Sequence, residues 1–399
     1  MRIPTPLAGP LLLLLLLTAS LAPATGAPEA HRPRARDLGI PFDGEPGPLD
    51  AITDVPGVLV GHATVVAGEG AHAARTGVTA VLPNRGIRGV FAAVHSHNGD
   101  GEMTGSHFIA EKGLLLSPVV ITNTISVGTV HEAVVRWSLA TEGIEPVALP
   151  VVAETWDGDL NDIYGFHVAA RHVFAALDGA RGGAVAEGNV GGGTGMICHG
   201  FKGGIGTASR VLPASSGGST VPPEAGFTVG VLVQANYGAR GELRIAGIPV
   251  GREIEGFEPE IHEPEGAIGY PPSGDGSIIV VVATDAPLLP HQLQRVLRRV
   301  PMGLARAGSY ASTWSGDLFV AFSTAEARDR SEIEAEARYL RDPRLDAVFL
   351  ATVQAVEEAI VNALVAAETM TGVHGSTVHA LPHDQVRAIL RRHGRLEGE

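Results

Sequence analysis

The sequence predicts a domain of the α+β or α/β type, in which sheet is layered between helices. Short apolar runs typical of strands alternate with amphipathic segments of helical spacing along most of its 399 residues. Hydrophobic residues make up 45% of the chain and charged residues 18%, enough apolar surface for one large core or two ordinary ones. The 52 glycines cluster beside the strand patterns without a collagen-like period, so they predict tight turns and close backbone approaches.

The first 27 residues have the pattern of a secretory signal peptide. Arg2 supplies a positive start, residues 11–17 are an unbroken leucine run, and Thr25-Gly26-Ala27 is a small-residue cleavage motif. Ala22-Pro23-Ala24 is a second possible cleavage site. The run is too short to span a bilayer comfortably, so cleavage is favoured over a retained membrane anchor. The mature protein is therefore expected in the periplasm or outside the cell, without a membrane attachment. Cys198 is its only cysteine, so no intramolecular disulfide can form there.

Residues 28–49 are polar and proline-rich, and they are interpreted as a loosely held lead-in to a single domain over 50–399. Within the domain, strands are predicted where apolar runs lie between glycine-rich turns. Helices are predicted where apolar residues recur at helical spacing and a glycine follows. In the first part of the domain, the predicted strands cover 58–60, 78–82, 90–94, 119–122 and 227–235, and the predicted helices cover 129–141 and 161–177.

Residues 239–275, rich in glycine, proline and glutamate, are predicted as an internal linker. An apolar strand follows at 277–284, and then a helix that begins at Pro290, a favourable first helical position, and runs to about 306. The pattern continues with a strand at 318–323 and amphipathic helices at 343–368 and 382–393. The linker therefore ends directly before a strand of the buried type.

The junction of linker and strand places Ser277 where it could cleave its own preceding peptide bond. Gly276 leaves the backbone free to distort, and it has no side chain that would block attack on its carbonyl. Once cleaved, Ser277 would carry a hydroxyl nucleophile and a free α-amine, whose unperturbed pKa of about 7.7–8 suits a general base. The alternative is an ordinary loop-to-strand junction, because Gly-Ser before a strand is common.

Four other polar residues stand near the ends of predicted strands. Glu154 follows an apolar run, where its carboxylate could hold a substrate ammonium or could be a capping or surface acid. Asn236 follows the strand at 227–235, where its amide could donate to an oxyanion or could belong to a turn. Ser315 and Asp317 precede the strand at 318–323, where they could relay protons for a nucleophile or simply cap a turn.

Other function classes have less support in the sequence. A net charge of −14 gives no electrostatic support for nucleic-acid binding. The glycine-rich stretches 188–196 and 200–207 match neither a P-loop nor a dinucleotide fingerprint, and they are interpreted as backbone crowding near a site. His95 and His97, followed by two acidic residues, suggest a metal site, but a complete ligand set cannot be named. No Gly-x-Ser-x-Gly nucleophile elbow is present, which argues against an ordinary α/β-hydrolase.

Taken together, these segments resemble the family of L-aminopeptidase/D-esterases and β-peptidyl aminopeptidases, serine enzymes of the DmpA type. The resemblance runs from Ile52 almost to the end of the chain, and so many segments in the same order make it highly specific. The segments are ITDVPGV (52–58), GEMTG (101–105), TNTISVG (122–128), GNVGGGTGM (188–196), GFKGGIGTASR (200–210), VQANYG (233–238) and DGSIIVVVATDAPL (275–288).

The resemblance implies an αββα four-layer sandwich, an α+β fold shared with ornithine acetyltransferases. It also implies a precursor that cleaves itself between Gly276 and Ser277, which gives an α chain of 28–276 and a β chain of 277–399. The cleaved protomers would assemble as a homo-oligomer, a homotetramer by analogy with the family.

The implied activity is that of a serine aminopeptidase or amidase. Such an enzyme releases N-terminal amino acids from small peptides, amides or esters that have a free amino terminus, and it needs no metal or organic cofactor. Ser277 would be the nucleophile, Asn236 an oxyanion donor, and Glu154 the anchor of the substrate's ammonium group. Ser315 and Asp317 would support the nucleophile and its amine.

Two positions depart from some members of this family. Trp156, assigned to substrate binding beside Glu154, stands where others have tyrosine, so a hydroxyl donor to the oxyanion is missing. Asp317 stands where others have glutamate, which shortens its reach to the Ser277 amine. Two other functions stay open: acyl transfer of the ornithine-acetyltransferase type, although those enzymes use threonine, and a non-catalytic envelope binding protein.

Overall fold

Two β-sheets pack face to face in the computed structural model of this chain, and helices cover the outer face of each. The structure describes residues 32–212, 226–262, 276–328 and 336–396, and Pro33–Glu399 form one compact unit. The order of layers is helix, sheet, sheet, helix. This is the α+β, αββα sandwich that the resemblance implies, so the predicted fold class is confirmed.

Seven α-helices lie in the described residues. They are α1 (Ser106–Lys112), α2 (Val127–Ala140), α3 (Ala170–Asp178), α4 (Pro290–Leu297), α5 (Val300–Ala307), α6 (Leu345–Val365) and α7 (His383–Arg392). Short 3₁₀ turns occur at Ala35–Leu38, Ile52–Asp54, Gly70–His72, Thr124–Ser126, Ile163–Gly165, Gly191–Gly193, Arg240–Glu242, Val250–Arg252, Asp342–Arg344 and Val373–Gly375.

The same residues contain fourteen strands. They are β1 (Leu59–Ala67), β2 (Ala74–Leu82), β3 (Gly89–Gly99), β4 (Leu114–Leu115), β5 (Val119–Asn123), β6 (Val151–Thr155), β7 (Ile197–Cys198), β8 (Phe201–Lys202), β9 (Gly204–Leu212), β10 (Phe227–Asn236), β11 (Ser277–Thr284), β12 (Gly316–Arg328), β13 (Met370–Thr371) and β14 (Thr377–Val378). Every predicted strand therefore has a counterpart. The strand predicted at 58–60 overlaps the longer β1, which begins one residue later, and the strand predicted at 318–323 is part of the longer β12.

The first sheet has the order β1-β2-β5-β6, and the second has the order β4-β3-β12-β11-β10-β9. Neighbouring strands are antiparallel except for two parallel pairs, β5 with β6 and β11 with β12. In this register Asn236 of β10 lies opposite Ser277 of β11, and Ile278 of β11 pairs with Asp317 of β12. Three of the predicted site residues therefore meet at one end of the second sheet.

Three apolar cores separate the four layers. The core between the sheets joins residues such as Val81 and Ile121 to Ile279 and Val320. A second core packs α2 and α3 on the first sheet, and a third packs α4 to α7 on the second. Strand β11 contributes to two of these cores and all its residues are buried. A strand buried on both faces is expected to be a continuous apolar run, which explains the pattern of 277–284.

Two predicted helices are wrong in extent. The helix expected over 161–177 begins only at Ala170, because the preceding residues form a turn that includes Ile163–Gly165 and Phe166, whose φ is +51°. The helix expected from Pro290 to about 306 is two helices, α4 and α5, interrupted before Pro301. A proline has no backbone N–H, and its ring clashes with the carbonyl four residues earlier, so α4 ends before it.

Two segments interpreted as loose are packed wherever they are described. The lead-in buries Ala35 and Ile40, and the first part of the predicted linker buries Leu243 and Val250. These side chains join the core between the second sheet and its helices. The signal-peptide prediction and the rest of the linker lie outside the described residues, at 1–31 and 263–275.

The glycine stretch 188–196 lies between the two sheets. A methyl group on Gly192 would come within 2.2 Å of Gln234 Oε1 and within 2.8 Å of the Ile121 carbonyl oxygen. On Gly193 it would lie 2.4 Å from the backbone nitrogen of Ile205. The interpretation of these glycines as backbone crowding is therefore confirmed.

One helix among the described residues has the length and apolar composition of a membrane span. It is the segment Asp342–Val365, which contains α6 and has a mean hydropathy of 1.6. Of its most apolar window, 83% is buried inside the domain, as in the core helix of a globular protein.

Candidate active site

Ser277 is the first residue of β11 and is buried at the end of the second sheet. Asn236 lies opposite it on β10. On the β12 side, the backbone N–H of Gly316 donates a hydrogen bond of 3.0 Å to Ser277 Oγ. A methyl group on Gly316 would lie 2.8 Å from that oxygen, so this close approach of backbone to hydroxyl requires glycine.

Gly276 also approaches its neighbours too closely to carry a side chain. A methyl group there would lie 2.0 Å from the Asn236 carbonyl oxygen and 3.1 Å from Asn236 Nδ2. The carbonyl oxygen of Gly276 accepts a hydrogen bond from Ser315 Oγ. The peptide bond between Gly276 and Ser277 is therefore held from both sides, by β10 and by the start of β12.

Ser315 Oγ lies between two oxygen atoms. One is the carbonyl oxygen of Gly276, and the other is Asp317 Oδ1 at 2.6 Å. Ser315 closes a turn by donating its backbone N–H to the Ser312 carbonyl over 3.0 Å, and Asp317 follows two residues later on β12. The spacing of a serine and an acid two residues apart thus places both side chains against the Gly276–Ser277 bond.

The Asp317 carboxyl is fully buried, and this burial raises its pKa. The Ser315 hydroxyl, the nearby His97 imidazole and the backbone N–H of Ile278 act in the opposite direction. Its second oxygen, Oδ2, accepts no hydrogen bond from any of the residues that the structure describes. A buried carboxyl oxygen without a donor is uncommon in folded proteins and indicates a place where a donor is expected.

The side-chain amide of Asn236 is fixed by two hydrogen bonds. Its Oδ1 accepts from the backbone N–H of Ile197 at 2.7 Å, and its Nδ2 donates to the Trp156 carbonyl at 2.8 Å. An amide nitrogen carries two hydrogens, so Asn236 keeps a second N–H. Nδ2 lies 3.1 Å from the position that a methyl group on Gly276 would occupy, so this second N–H lies beside the Gly276–Ser277 bond.

Glu154 lies near the end of β6, and its carboxyl is buried and doubly hydrogen-bonded. Oε1 accepts from the backbone N–H of Glu102 at 2.8 Å, and Oε2 accepts from the Thr124 hydroxyl. Burial raises the pKa of this carboxyl, and the two hydrogen bonds act against that rise. The surface-acid alternative for Glu154 is therefore excluded by its position.

Gly101 lies between Glu154 and the strand end that carries Ser277. A methyl group on Gly101 would lie 3.2 Å from Glu154 Oε1 and also 3.2 Å from Gly316 Cα. Gly316 is the residue whose N–H donates to Ser277 Oγ. One small bound group could therefore contact both the carboxyl of Glu154 and the strand end that carries Ser277.

Trp156 follows β6 and is half-buried. Its carbonyl accepts from Asn236, and its indole lies so close to Gly158 that a methyl group there would be 2.5 Å from Cζ2. On another side, the indole meets the Tyr164 ring edge-on, with ring centroids 6.3 Å apart. All the predicted site residues thus gather around the Gly276–Ser277 bond or beside it.

Three residues that support the site were not predicted individually from the sequence: Gly101, Thr124 and Gly316. The first two lie in the segments 101–105 and 122–128, which count among those that carry the family resemblance. The glycines allow a close approach of the backbone, and the Thr124 hydroxyl donates to the Glu154 carboxyl. Neither kind of interaction can be recognised from a pattern in a single sequence.

The suggested metal site does not gather a ligand set. Among the described residues, no group of three or more histidine, cysteine or acidic side chains is placed to hold a metal ion. His95 and His97 instead pack on the Phe319 ring, with centroids 6.0 and 6.2 Å away. His95 also lines a cleft of about 350 Å³, together with Gly101, Glu102 and Met103.

The comparisons with known proteins agree with this geometry. The model of Peptidase family S58 matches residues 50–378. The chain is 47% identical over 391 residues to beta-peptidyl aminopeptidase BapA of Sphingosinicella xenopeptidilytica, covering 94% of this chain and 95% of that protein. It is 50% identical over 388 residues to beta-peptidyl aminopeptidase BapA of Sphingosinicella microcystinivorans, covering 93% and 95%.

Solved structures give the same result. The L-aminopeptidase D-Ala-esterase/amidase of Ochrobactrum anthropi, described as a prototype for the serine aminopeptidases and a new variant among the Ntn hydrolase fold, superposes with a TM-score of 0.81. It shares 47% identity and covers 92% of this chain and 100% of its own. A β-aminopeptidase of Burkholderia sp. gives a TM-score of 0.79 at 45% identity, covering 92% and 99%.

Proposed function

Because this chain belongs to peptidase family S58 and is a serine aminopeptidase, we propose that it matures by cleaving its own Gly276–Ser277 bond. The new N-terminal Ser277 then removes N-terminal amino acids from small peptides, amides and esters. The observation that carries the proposal is the arrangement of this bond: Gly316 donates to Ser277 Oγ while Ser315 donates to the Gly276 carbonyl oxygen. Neither acyl transfer nor a binding role is favoured, because the relatives are named aminopeptidases.

Self-cleavage is an attack of one residue on the carbonyl before it. Ser277 Oγ adds to the carbonyl carbon of Gly276, the C–N bond breaks, and the proton of the hydroxyl ends on the nitrogen. The product is an ester between Gly276 and Ser277 Oγ, which one water hydrolyses to a carboxyl terminus and a free hydroxyl. The Ser315 hydroxyl and the second Asn236 N–H stabilise the negative charge on the Gly276 oxygen.

The hydrogen bonds of Ser315 favour a neutral Asp317 before cleavage. The Ser315 hydroxyl has one proton but contacts two acceptors, the Gly276 carbonyl oxygen and Asp317 Oδ1. Both contacts are full hydrogen bonds if Asp317 is protonated and donates to Ser315 Oγ, while Ser315 donates to the Gly276 carbonyl oxygen. Burial raises the pKa of Asp317, which favours this neutral form. The uncleaved chain is therefore proposed to hold a proton relay aimed at the bond to be cut.

Cleavage changes what surrounds Asp317. It removes the Gly276 carbonyl from Ser315 and creates an α-amine on Ser277, so Asp317 can ionise and accept a hydrogen bond on its free Oδ2. The amine then takes the proton of Ser277 Oγ as this oxygen attacks the substrate carbonyl. The resulting ammonium gives the proton to the departing amine, and a water hydrolyses the acyl ester. These steps use only groups of the protein and water. Independence from a cofactor stays a prediction.

Glu154 supplies the requirement for a free amino terminus. An ionised carboxylate beside the nucleophile binds an ammonium group by charge-assisted hydrogen bonds. The substrate's first residue would then lie between Glu154 and Ser277, with its carbonyl carbon at Ser277 Oγ. Trp156 borders the same space.

We also propose that the protein is exported and assembles as a homotetramer of cleaved protomers. The leucine run at 11–17 and the small residues before Pro28 support export. Large apolar side chains that are more than half exposed support assembly; they include Leu139, Leu149, Met302 and Leu350. Cell fractionation and light scattering of the purified protein test the two points. A full-length chain in the cytoplasm or a monomer in solution would contradict them.

The proposed function is tested by the intact mass and N-terminal sequence of the purified protein beside a Ser277→Ala variant. A second N-terminus that begins Ser277-Ile278-Ile279, present in the wild type and absent in the variant, would establish self-cleavage. Hydrolysis of amino-acid p-nitroanilides by the wild type alone would establish the activity. A single uncut chain in both samples would overturn the maturation step.

A further inference from the structure

The chain crosses the mouth of the site in a defined direction after β6. The Glu154 carboxyl lies near Gly316 of β12, because a methyl group on Gly101 would lie 3.2 Å from both Glu154 Oε1 and Gly316 Cα. Thr155 accepts a hydrogen bond of 2.8 Å from Gln234 of β10, and the Trp156 carbonyl accepts one from Asn236 of β10. Since the strand order is β12-β11-β10, residues 154–156 pass over Ser277 from the β12 side to the β10 side.

This direction fixes the two sides of a bound substrate. With the substrate ammonium at Glu154 and its carbonyl carbon at Ser277, the acyl residue occupies the β12 side. The group that departs as an amine must then point to the β10 side, toward Trp156. This assignment of the two sides rests on the proposed function, in which Glu154 binds the substrate ammonium.

An aromatic surface adjoins the Trp156 indole. The Tyr164 ring meets the indole edge-on and is 67% exposed, and Phe166, two residues later, is 64% exposed. Exposed aromatic side chains on a fixed backbone are typical of binding surfaces, since a ring offers a large contact area and loses little conformational entropy.

The backbone beneath these rings is held in place. Asp162 N–H donates to the Ala73 carbonyl at 2.9 Å, and Asn161 Oδ1 accepts from the Arg75 N–H at 2.9 Å. Leu160 is buried, and its carbonyl accepts from the N–H of Val373 at 2.8 Å. The loop is therefore anchored on its inner side while its aromatic rings face outward.

We propose that Trp156 and Tyr164 form the subsite for the leaving amine, and that this subsite prefers an aromatic or large apolar group there. Gly158 is part of this subsite, because only a residue without a side chain lets the Trp156 indole lie against the backbone at position 158. Tyr164 is a specificity-determining residue in this account, since it borders the leaving group and not the carbonyl that reacts.

The test compares leaving groups while the acyl residue stays constant. The substrates are the primary amide, the glycine dipeptide and the phenylalanine dipeptide of alanine, in an L-alanyl and a β-alanyl series. In the wild type, kcat/KM for the phenylalanine dipeptide is expected to exceed that for the glycine dipeptide about tenfold, the effect of one aromatic pair. Tyr164→Ala should bring this ratio close to one, mainly through KM.

Two matched controls keep the result interpretable. Tyr310→Ala removes a ring of similar exposure from another loop and should leave the ratio unchanged. Gly158→Ala, which displaces the indole without changing Trp156 or Tyr164, should lower the ratio, whereas Gly182→Ala, where a methyl group meets nothing within 4 Å, should not.

The outcomes separate this inference from the proposed function. If Tyr164→Ala lowers kcat/KM equally for all three substrates, or leaves the ratio intact, the leaving-group subsite is wrong although the peptidase activity stands. If the cleaved wild type hydrolyses none of the substrates in either series, the proposed function itself fails.

Discussion

Two buried carboxyls flank Ser277, and they are built for different tasks. Both oxygens of Glu154 accept hydrogen bonds, from the Glu102 N–H and the Thr124 hydroxyl. Asp317 shares the Ser315 hydroxyl with the Gly276 carbonyl, and none of the described residues donates to its Oδ2. Burial raises the pKa of both groups. This difference fits the roles proposed for them: Glu154 binds a cation from outside, and Asp317 exchanges a proton within the chain.

The largest effect is expected for Asp317→Asn, which should lower turnover strongly while self-cleavage persists. An amide can donate to Ser315 Oγ as the neutral carboxyl does, so self-cleavage should persist. It cannot carry the negative charge that supports the Ser277 amine, so kcat should fall about 10³-fold, the size of a general-base contribution. Intact mass and hydrolysis of an amino-acid p-nitroanilide measure the two effects.

The matched control for that variant is Asp285→Asn, at a half-buried acid whose Oδ1 accepts from the Thr228 N–H. An asparagine retains this acceptor, so both cleavage and turnover should stay near those of the wild type. Parallel loss of cleavage and turnover in Asp317→Asn would contradict the proton relay.

A smaller effect is expected for Glu154→Gln. It removes the charge that binds the substrate ammonium, so kcat/KM should fall about 100-fold, mostly through KM, because hydrogen bonds to a charged group contribute about 1.5–3 kcal/mol. Self-cleavage involves no ammonium and should be unaffected. Glu111→Gln, at an exposed acid on α1 that is not among the groups that shift the pKa of Glu154, is the control. Loss of cleavage in Glu154→Gln would show a structural role instead.

The pH profile of kcat/KM should contain two limbs, one for the Ser277 amine and one for the Glu154 carboxyl. Attack requires the neutral Ser277 amine, so kcat/KM should rise with pH up to about 8. Glu154 binds an ammonium only when ionised, and its raised pKa means that this form is lost as pH falls through a value above the usual range for a glutamate. The wild-type profile should therefore steepen at acidic pH, and Glu154→Gln should remove that second limb while keeping the first.

The smallest predicted effect comes from Thr124→Val, which keeps the shape of the side chain but removes its hydroxyl. That hydroxyl lowers the pKa of Glu154, so without it the pKa should rise further. The acidic limb should then move to higher pH, with a loss of a few fold in kcat/KM near pH 6 and little change at pH 8. A uniform loss at every pH would instead indicate disturbed packing.

Much of the fold could be predicted from the sequence, because its strands are short apolar runs bounded by glycine. The errors fall where tertiary contacts decide the structure. The turn before Ala170 depends on the positive φ of Phe166, and the packing of Ala35 and Ile40 depends on a helix layer far away in the chain.

The site was predictable in part. Ser277, Asn236 and Asp317 stand at the ends of strands, where a sheet brings residues of distant segments together. Glu154 could not be distinguished from a surface acid by pattern alone, and Gly101 acts only through its lack of a side chain. The aromatic loop around Tyr164 gave no signal, because an exposed aromatic residue in a loop has no periodicity to interpret.

The central claim is that Ser277 becomes a nucleophile with its own amine as the base. The most direct measurement is mass spectrometry of the cleaved protein after incubation with a sulfonyl fluoride, followed by peptide mapping at several pH values. We expect one adduct, on the peptide that begins with Ser277, formed faster as the pH approaches 8 and absent from uncut chains. An adduct on another serine, or equal labelling of cut and uncut chains, would contradict the account.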